Sequence, residues 1–128
     1  MSDSSKLSDH KTVTTDPGGT DNPHDLVLPA HTAVLFAALH RRWALHLLYL
    51  LGQRPARFTE LQRTIPGISA MSLNERLRAL VDAGLVARHV FPGPPMSSIY
   101  QATATGRLIG EHLIRMAADT QGHQPAGI

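Results

Sequence analysis

The sequence predicts a mainly α fold carrying one small β-hairpin (α+β), built as a helix-turn-helix followed by a wing. Three observations carry this. Residues 70–83 hold an apolar repeat of helical period, with Leu73, Leu77, Leu80 and Val81 at i, i+4, i+7 and i+8. Just upstream, a shorter apolar stretch ends at Pro66-Gly67, a pair that forces a turn. Just downstream, two strand-length runs flank the stiff tip Pro92-Gly93-Pro94-Pro95.

Taken in order, the chain starts with Ser, Thr, Asp, Gly and Pro and almost no apolar residue over 1–25, so burial cannot offset the entropy of ordering it. A disordered acidic tail is expected there, one domain over 26–120, and a frayed end over 121–128. Residues 32–39 and 42–51 are two apolar segments separated by His40-Arg41. The second, opening on Trp43, has so little polar surface that it should be a core helix buried nearly all round. His46 within it is expected to be a hydrogen-bonded core histidine. The next helix is short: Thr59 with Gln62 makes a Thr-x-x-Gln capping box, and Phe58, Leu61, Ile65 and Ile68 supply its apolar side.

For the longer helix, Ser69 supplies an N-cap oxygen and Gly84 a residue free to take positive φ at the C-terminal stop. Ser72, Glu75, Arg78, Ala79 and Asp82 fall opposite its apolar stripe, so one face serves a core and the other is free. Residues 85–91 and 98–102 are rich in β-branched and aromatic side chains and form the hairpin. A last helix over 104–118 places Leu108, Ile109, His112, Leu113 and Met116 along one side. In so small a domain, the simplest cover for that side and for the apolar first segment is a two-fold dimer.

Composition narrows the function classes. The 128 residues contain no cysteine, which removes disulfides and thiol switches, and no apolar run approaches the roughly 20 residues of a membrane span. Residues 1–25 lack the charged start and apolar middle of a secretion signal, so a cytoplasmic location is expected. The net charge of +2 hides an asymmetry: five aspartates against two lysines in the tail, then ten arginines against five acids. A basic body suits a polyanion, because each neutralised phosphate releases counterions.

The eight histidines show no His-x-x-x-His pair or HExxH, and adjacent Glu111 and His112 point about 100° apart on a helix. No metal and no cofactor are expected. Nor is there a G-x-S-x-G elbow, a Gly-rich phosphate loop or a pair of carboxylates on a rigid element, so catalysis is not expected.

From about residue 35 to 116 the chain resembles the HxlR-type winged-helix transcriptional regulators, a MarR-like bacterial group. The resemblance lies in Trp43 opening an apolar helix, Arg57-Phe58-x-Glu60-Leu61, Pro66-Gly67-Ile68-Ser69, Leu77-Arg78-x-Leu80 with Gly84-Leu85-Val86-x-Arg88, the Pro-rich wing, and Tyr100-x-x-Thr103-x-x-Gly106. It implies a homodimer joined through its terminal helices. It also implies two recognition helices that enter successive major grooves of a near-palindromic operator. Three departures limit the transfer. Ala30-His31 and His40-Arg41-Arg42 stand where the family has Cys-Pro and Gly-Gly-Lys, so the family's cysteine sensor is missing, and Ser97 stands where the wing usually carries Arg or Lys.

Side-chain chemistry then suggests roles in binding DNA. Asn74 can pair with adenine, Arg76 and Arg78 with guanine or phosphate, and Ser69 and Ser72 can hold a phosphate beside free helix N–H groups. Met71 and Glu75 share that helix, with Glu75 suited to a cytosine contact or a salt bridge to a neighbouring arginine. Arg57 and Arg88 are expected backbone clamps, and Ser97 marks the wing. Two compatible functions are therefore expected. One is a sequence-specific DNA-binding regulator, a repressor in the pattern of the family, released by a small apolar or aromatic effector. The other is a small-ligand binding or sequestering protein on the same scaffold, with Phe36, Trp43, Leu47, His112 and Met116 lining its pocket.

Overall fold

The computed structural model describes residues 23–122. The disordered tail expected over 1–25 and the frayed end expected over 121–128 lie outside the described residues except for 23–25 and 121–122. The described residues fall in two units that divide between Thr32 and Ala33, inside the first helix. In the described part of the first unit, a turn leads into an extended stretch, and the Thr32 N–H donates to the Pro29 carbonyl at 3.0 Å.

Seven elements follow in order: α1 (Ala30–Leu39), α2 (Ala44–Leu51), α3 (Phe58–Thr64), α4 (Ala70–Asp82), β1 (Val86–Phe91), β2 (Ser97–Ala102) and α5 (Ala104–Asp119). Leu47, Leu48 and Leu51 of α2 form one wall of the core. Leu61, Ile65 and Ile68 from α3 and its exit, Leu73, Leu77 and Leu80 from α4, and Leu85, Val86, Tyr100 and Ala102 from the wing base complete it. Each fully buried leucine contributes about 1.5–3 kcal/mol relative to exposure, so this cluster dominates the fold's stability. Leu35, Ala38 and Leu39 of α1 pack on its edge, and no residue of α1 is fully buried.

Local chemistry sets the element ends. Ser69 Oγ accepts the Ser72 N–H at 3.0 Å and starts α4, and Gly84 at φ 79° ends its exit turn, both as predicted. The start of α3 differs from expectation. Arg57, not Thr59, occupies the N-cap, and the Glu60 carboxylate accepts the Arg57 N–H at 2.9 Å. Arginine carries no acceptor, so only this half of a capping box is made. Glu60 also pairs with Arg54 at 2.8 Å, and these hydrogen bonds hold its carboxyl down to about 2, ionised wherever the protein works.

The wing is an antiparallel pair whose register runs from Val86↔Ala102 to Phe91↔Ser97, with residues 92–96 as its tip. Tyr100 also exchanges both backbone hydrogen bonds with Ala56, at 3.0 and 2.8 Å, so the α2–α3 loop adds a one-residue third strand that no sequence pattern signals. At the start of α5, Thr103 Oγ1 accepts the Gly106 N–H at 3.1 Å and donates to the Gly84 carbonyl at 2.8 Å. One threonine thereby caps α5 and fastens it to the exit of α4. Gly106 lies against the Leu85 backbone, and Gly110 against Gly52 and the Leu48 carbonyl, where an added Cβ would come within 2.6 Å of the oxygen. The absence of side chains lets α5 sit on α2 almost backbone to backbone.

Two core expectations fail for one reason. α2 is not buried all round: Ala44, Leu47, Leu48 and Leu51 are, whereas Leu45 and His46 are exposed. His46 is therefore no core histidine; its ring lies edge-on to Trp43 at 4.9 Å. The apolar excess of α2 belongs to an open cleft. Trp43 itself does not open the helix. It caps α2 at φ 74°, a left-handed conformation that costs a bulky residue about 1–2 kcal/mol, and the turn around it must hold it there.

Candidate nucleic-acid interface

The candidate site is built on α4, which a capped start, a buried stripe and one hydrogen bond to the turn before α2 hold in place. Its stripe of Leu73, Leu77 and Leu80 is 0–1% exposed, Ser69 caps its start, and Arg76 Nε donates to the Arg42 carbonyl at 2.8 Å. A helix held so firmly presents its opposite face as a rigid surface. That face carries Met71, Asn74, Glu75 and Arg78, all exposed, with Ser69 at its N-terminal end and Ser72 half-buried beside it. The Ser69 side chain is already used in the cap, but as an acceptor, so its hydroxyl proton remains available to an anion.

Asn74 and Arg78 meet Arg88 of β1. Together with Val81 and Tyr100 they line a concavity of about 240 Å³ at the junction of α4 and the wing. An amide and two guanidiniums converging on one open concavity form a donor array suited to phosphate and to base edges. Arg57 and Ser97 are not part of it. Arg57 is exposed at the start of α3, and Ser97 is half-buried on the last rung of the hairpin, opposite Phe91. Arg76, expected to face guanine or phosphate, gives its Nε to the turn before α2, which leaves its terminal nitrogens outside that bond. For Glu75 the salt-bridge alternative is gone. The ion pair that forms among the described residues is Arg54–Glu60, so the Glu75 carboxylate is left to solvent or to an incoming donor.

The residues expected to line a ligand pocket do not come together. Leu47 is fully buried in the core, Phe36 is 55% exposed on α1, and His112 is exposed on α5. The apolar cleft lies instead between α2, the exit of α3 and α5. It measures about 340 Å³ and is lined chiefly by Leu45, Tyr49, Leu50, Ile65, Leu113 and Met116, with His46 at its edge. Of the predicted five, only Met116 is in it. Among the described residues no helix is long and apolar enough to cross a membrane.

Sequence reasoning missed the contact between α4 and the turn before α2. Arg42 and Arg76 are 34 residues apart, and the bond uses a backbone carbonyl, which no side-chain pattern betrays.

The relatives fit this geometry. A family model described as HxlR-like helix-turn-helix matches residues 38–126. The HTH-type transcriptional regulator YodB of Bacillus subtilis (strain 168) is 39% identical over 71 residues, which cover 56% of this chain and 63% of YodB. The crystal structure of diamide-treated YodB superposes with a TM-score of 0.63 at 31% identity, covering 78% of this chain and 100% of that one. The reduced form of YodB gives the same TM-score and identity over 80% of this chain and 100% of that one. With five helices and an antiparallel wing among the described residues, and a family match across more than half its length, the chain belongs to the HxlR-like helix-turn-helix family.

Proposed function

We propose that the protein is a homodimeric, sequence-specific DNA-binding repressor that reads a near-palindromic operator with α4. The observation that carries this reading is the rigid outer face of α4. There Asn74 and Arg78 line one concavity with Arg88 of the wing, and among the described residues no acidic side chain pairs with any of them. Base reading rests with Asn74 and Arg78, and Arg88 serves the backbone at the wing base. Anisotropy titration of the wild type tests the reading: a duplex from the DNA upstream of the gene should bind more tightly than a shuffled duplex of the same composition.

Dimerisation is supported by the apolar side chains left in solvent on α1 and α5. Val34, Phe36, Leu108 and Met116 are 72%, 55%, 56% and 55% exposed, an unusual amount for a small domain. Leu113, by contrast, packs on its own core, so a charge there would test folding as well as assembly. Leu108→Glu is the cleaner test, because in a single chain the new carboxylate meets water. Static light scattering should show a wild-type dimer and a Leu108→Glu monomer of unchanged helicity. A wild type that is monomeric at micromolar concentration would remove the dimer from the account.

A second reading, a small-ligand binding protein, is favoured by the apolar cleft of about 340 Å³. The two readings combine if a ligand there alters the spacing of the two α4 helices. YodB has been crystallised in reduced and diamide-treated forms, but the 128 residues here hold no cysteine for such a reagent, so reversible binding is the route to a signal. Trp43 reports on the cleft through His46, its neighbour at 4.9 Å. Saturable change of Trp43 emission on adding a naphthol- or quinone-sized aromatic compound, with DNA binding weakened in step, is the expected result. Emission that stays flat across such compounds would dismiss this second reading.

A further inference from the structure

We infer that the turn between α1 and α2, His40-Arg41-Arg42, is a second phosphate clamp that grips the DNA strand on the side of α4 opposite the wing. The inference rests on α4 being the reading helix and adds contacts that reading does not include.

Placement comes from the turn of α4 itself. Successive residues on a helix are rotated by about 100°, so with Glu75 pointing outward, Asn74 and Arg76 lie on its two flanks. The structure shows what each flank meets. On the Asn74 side, Asn74, Arg78 and Val81 share a concavity with Arg88 and Tyr100 of the wing. On the Arg76 side, Arg76 Nε donates to the carbonyl of Arg42 at 2.8 Å. The outward face of α4 is therefore bracketed by strand β1 of the wing and by the α1–α2 turn, each carrying arginine. A helix seated in a major groove about 12 Å wide has a phosphate strand along each edge, so two basic brackets match two strands.

The chemistry of the turn fits that role. Arg41 and Arg42 are exposed, and neither makes an ion pair with a described acid. Arg42 is preorganised: its guanidinium lies over the Trp43 ring at 4.6 Å from the centroid. Stacking occupies the flat face of the guanidinium and leaves its in-plane N–H groups aimed outward, the edge that pairs with phosphate oxygens. The left-handed Trp43, at φ 74°, turns the chain so that its indole lies beneath Arg42 while the Arg42 carbonyl meets α4. A strained backbone held by a contact to the reading helix gives the clamp a fixed position relative to that helix.

The test measures the salt dependence of binding for wild type, Arg41→Gln, Arg42→Gln and the double variant. The probes are the duplex from upstream of the gene and a shuffled duplex. Each arginine that neutralises a phosphate should contribute about 0.9 per protomer to the slope of log Kd against log salt. The expected result is a slope reduced by about that amount in each single variant and additively in the double, with affinity for both duplexes lowered several-fold by the same factor. Arg41→Gln is the decisive variant, because the exposed Arg41 side chain makes no hydrogen bond or ion pair with a described residue; unchanged melting of both variants completes the control.

If the wild type binds DNA and the slope is unaltered in Arg41→Gln and Arg42→Gln, the clamp is wrong and the reading helix stands. An effect confined to the upstream duplex would also overturn the clamp, since it would mean base contact. Reduced slopes in a protein that binds both duplexes equally would uphold the clamp and refute sequence-specific reading. A wild type that binds neither duplex would refute both.

Discussion

Gly106→Ala is expected to destabilise the protein by about 3 kcal/mol or more, the largest loss available from adding a single methyl group to this chain. The cause is the seat of α5. A Cβ at residue 106 would be driven into the carbonyl of Leu85, a backbone atom fixed on both sides: Leu85 donates its N–H to the Leu80 carbonyl at 3.0 Å, and its own carbonyl accepts from Thr103 at 3.0 Å. No rotamer change can relieve such a clash, so α5 must shift, and the Thr103 cap that fastens it to Gly84 is strained with it. Two glycine controls separate this from a general effect of alanine. Gly84→Ala meets no neighbour within 4 Å but sits at φ 79°, and should cost only about 1–2 kcal/mol. Gly122→Ala also meets nothing within 4 Å and should be close to neutral. Denaturant melts at one fixed protein concentration rank the three. A Gly106→Ala protein as stable as Gly122→Ala would show that the close seat of α5 on the Leu85 backbone is not maintained in solution.

That seat also shows what a sequence can and cannot disclose. The Thr103-x-x-Gly106 pair is visible as a pattern, and Ser69 and Gly84 mark the limits of α4 by their chemistry alone, since a hydroxyl cap and a positive-φ stop are local devices. The hairpin was legible for the same reason, with proline and glycine between two β-rich runs. What failed depends on contacts between distant segments. Thr59 and Gln62 match a capping box, yet Arg57 and Glu60 start α3, because Arg54 from the preceding loop anchors the Glu60 carboxylate in place. Ala56 joins the sheet through one residue, too short for any periodicity. His46 reads as a core histidine because an apolar helix reads the same whether its far side faces a core or an open cleft. Within the candidate site, side-chain chemistry suggests Asn74, Arg78 and Arg88 one at a time. Their convergence, and the diversion of Arg76 to Arg42, are properties of the packed structure.

The second large effect concerns DNA. Arg78→Ala and Asn74→Ala should each cost about 1–3 kcal/mol in binding to the upstream duplex, and leave folding intact, because both side chains are exposed on α4 and neither is part of the core cluster. Their loss should fall on specificity: affinity for a shuffled duplex, supported by phosphate contacts, should change far less than affinity for the upstream one. Glu75→Ala supplies the contrasting control. Removing an unpaired carboxylate from this face should strengthen binding to the shuffled duplex, since a repulsion with phosphate is lifted.

The most direct test is therefore the ratio of the two affinities, upstream over shuffled, measured by fluorescence anisotropy at one salt concentration for the wild type and for Arg78→Ala. The account predicts a ratio well above one in the wild type that collapses toward one in the variant. A ratio unchanged by Arg78→Ala and by Asn74→Ala would contradict it, and α4 would not be the element that reads DNA.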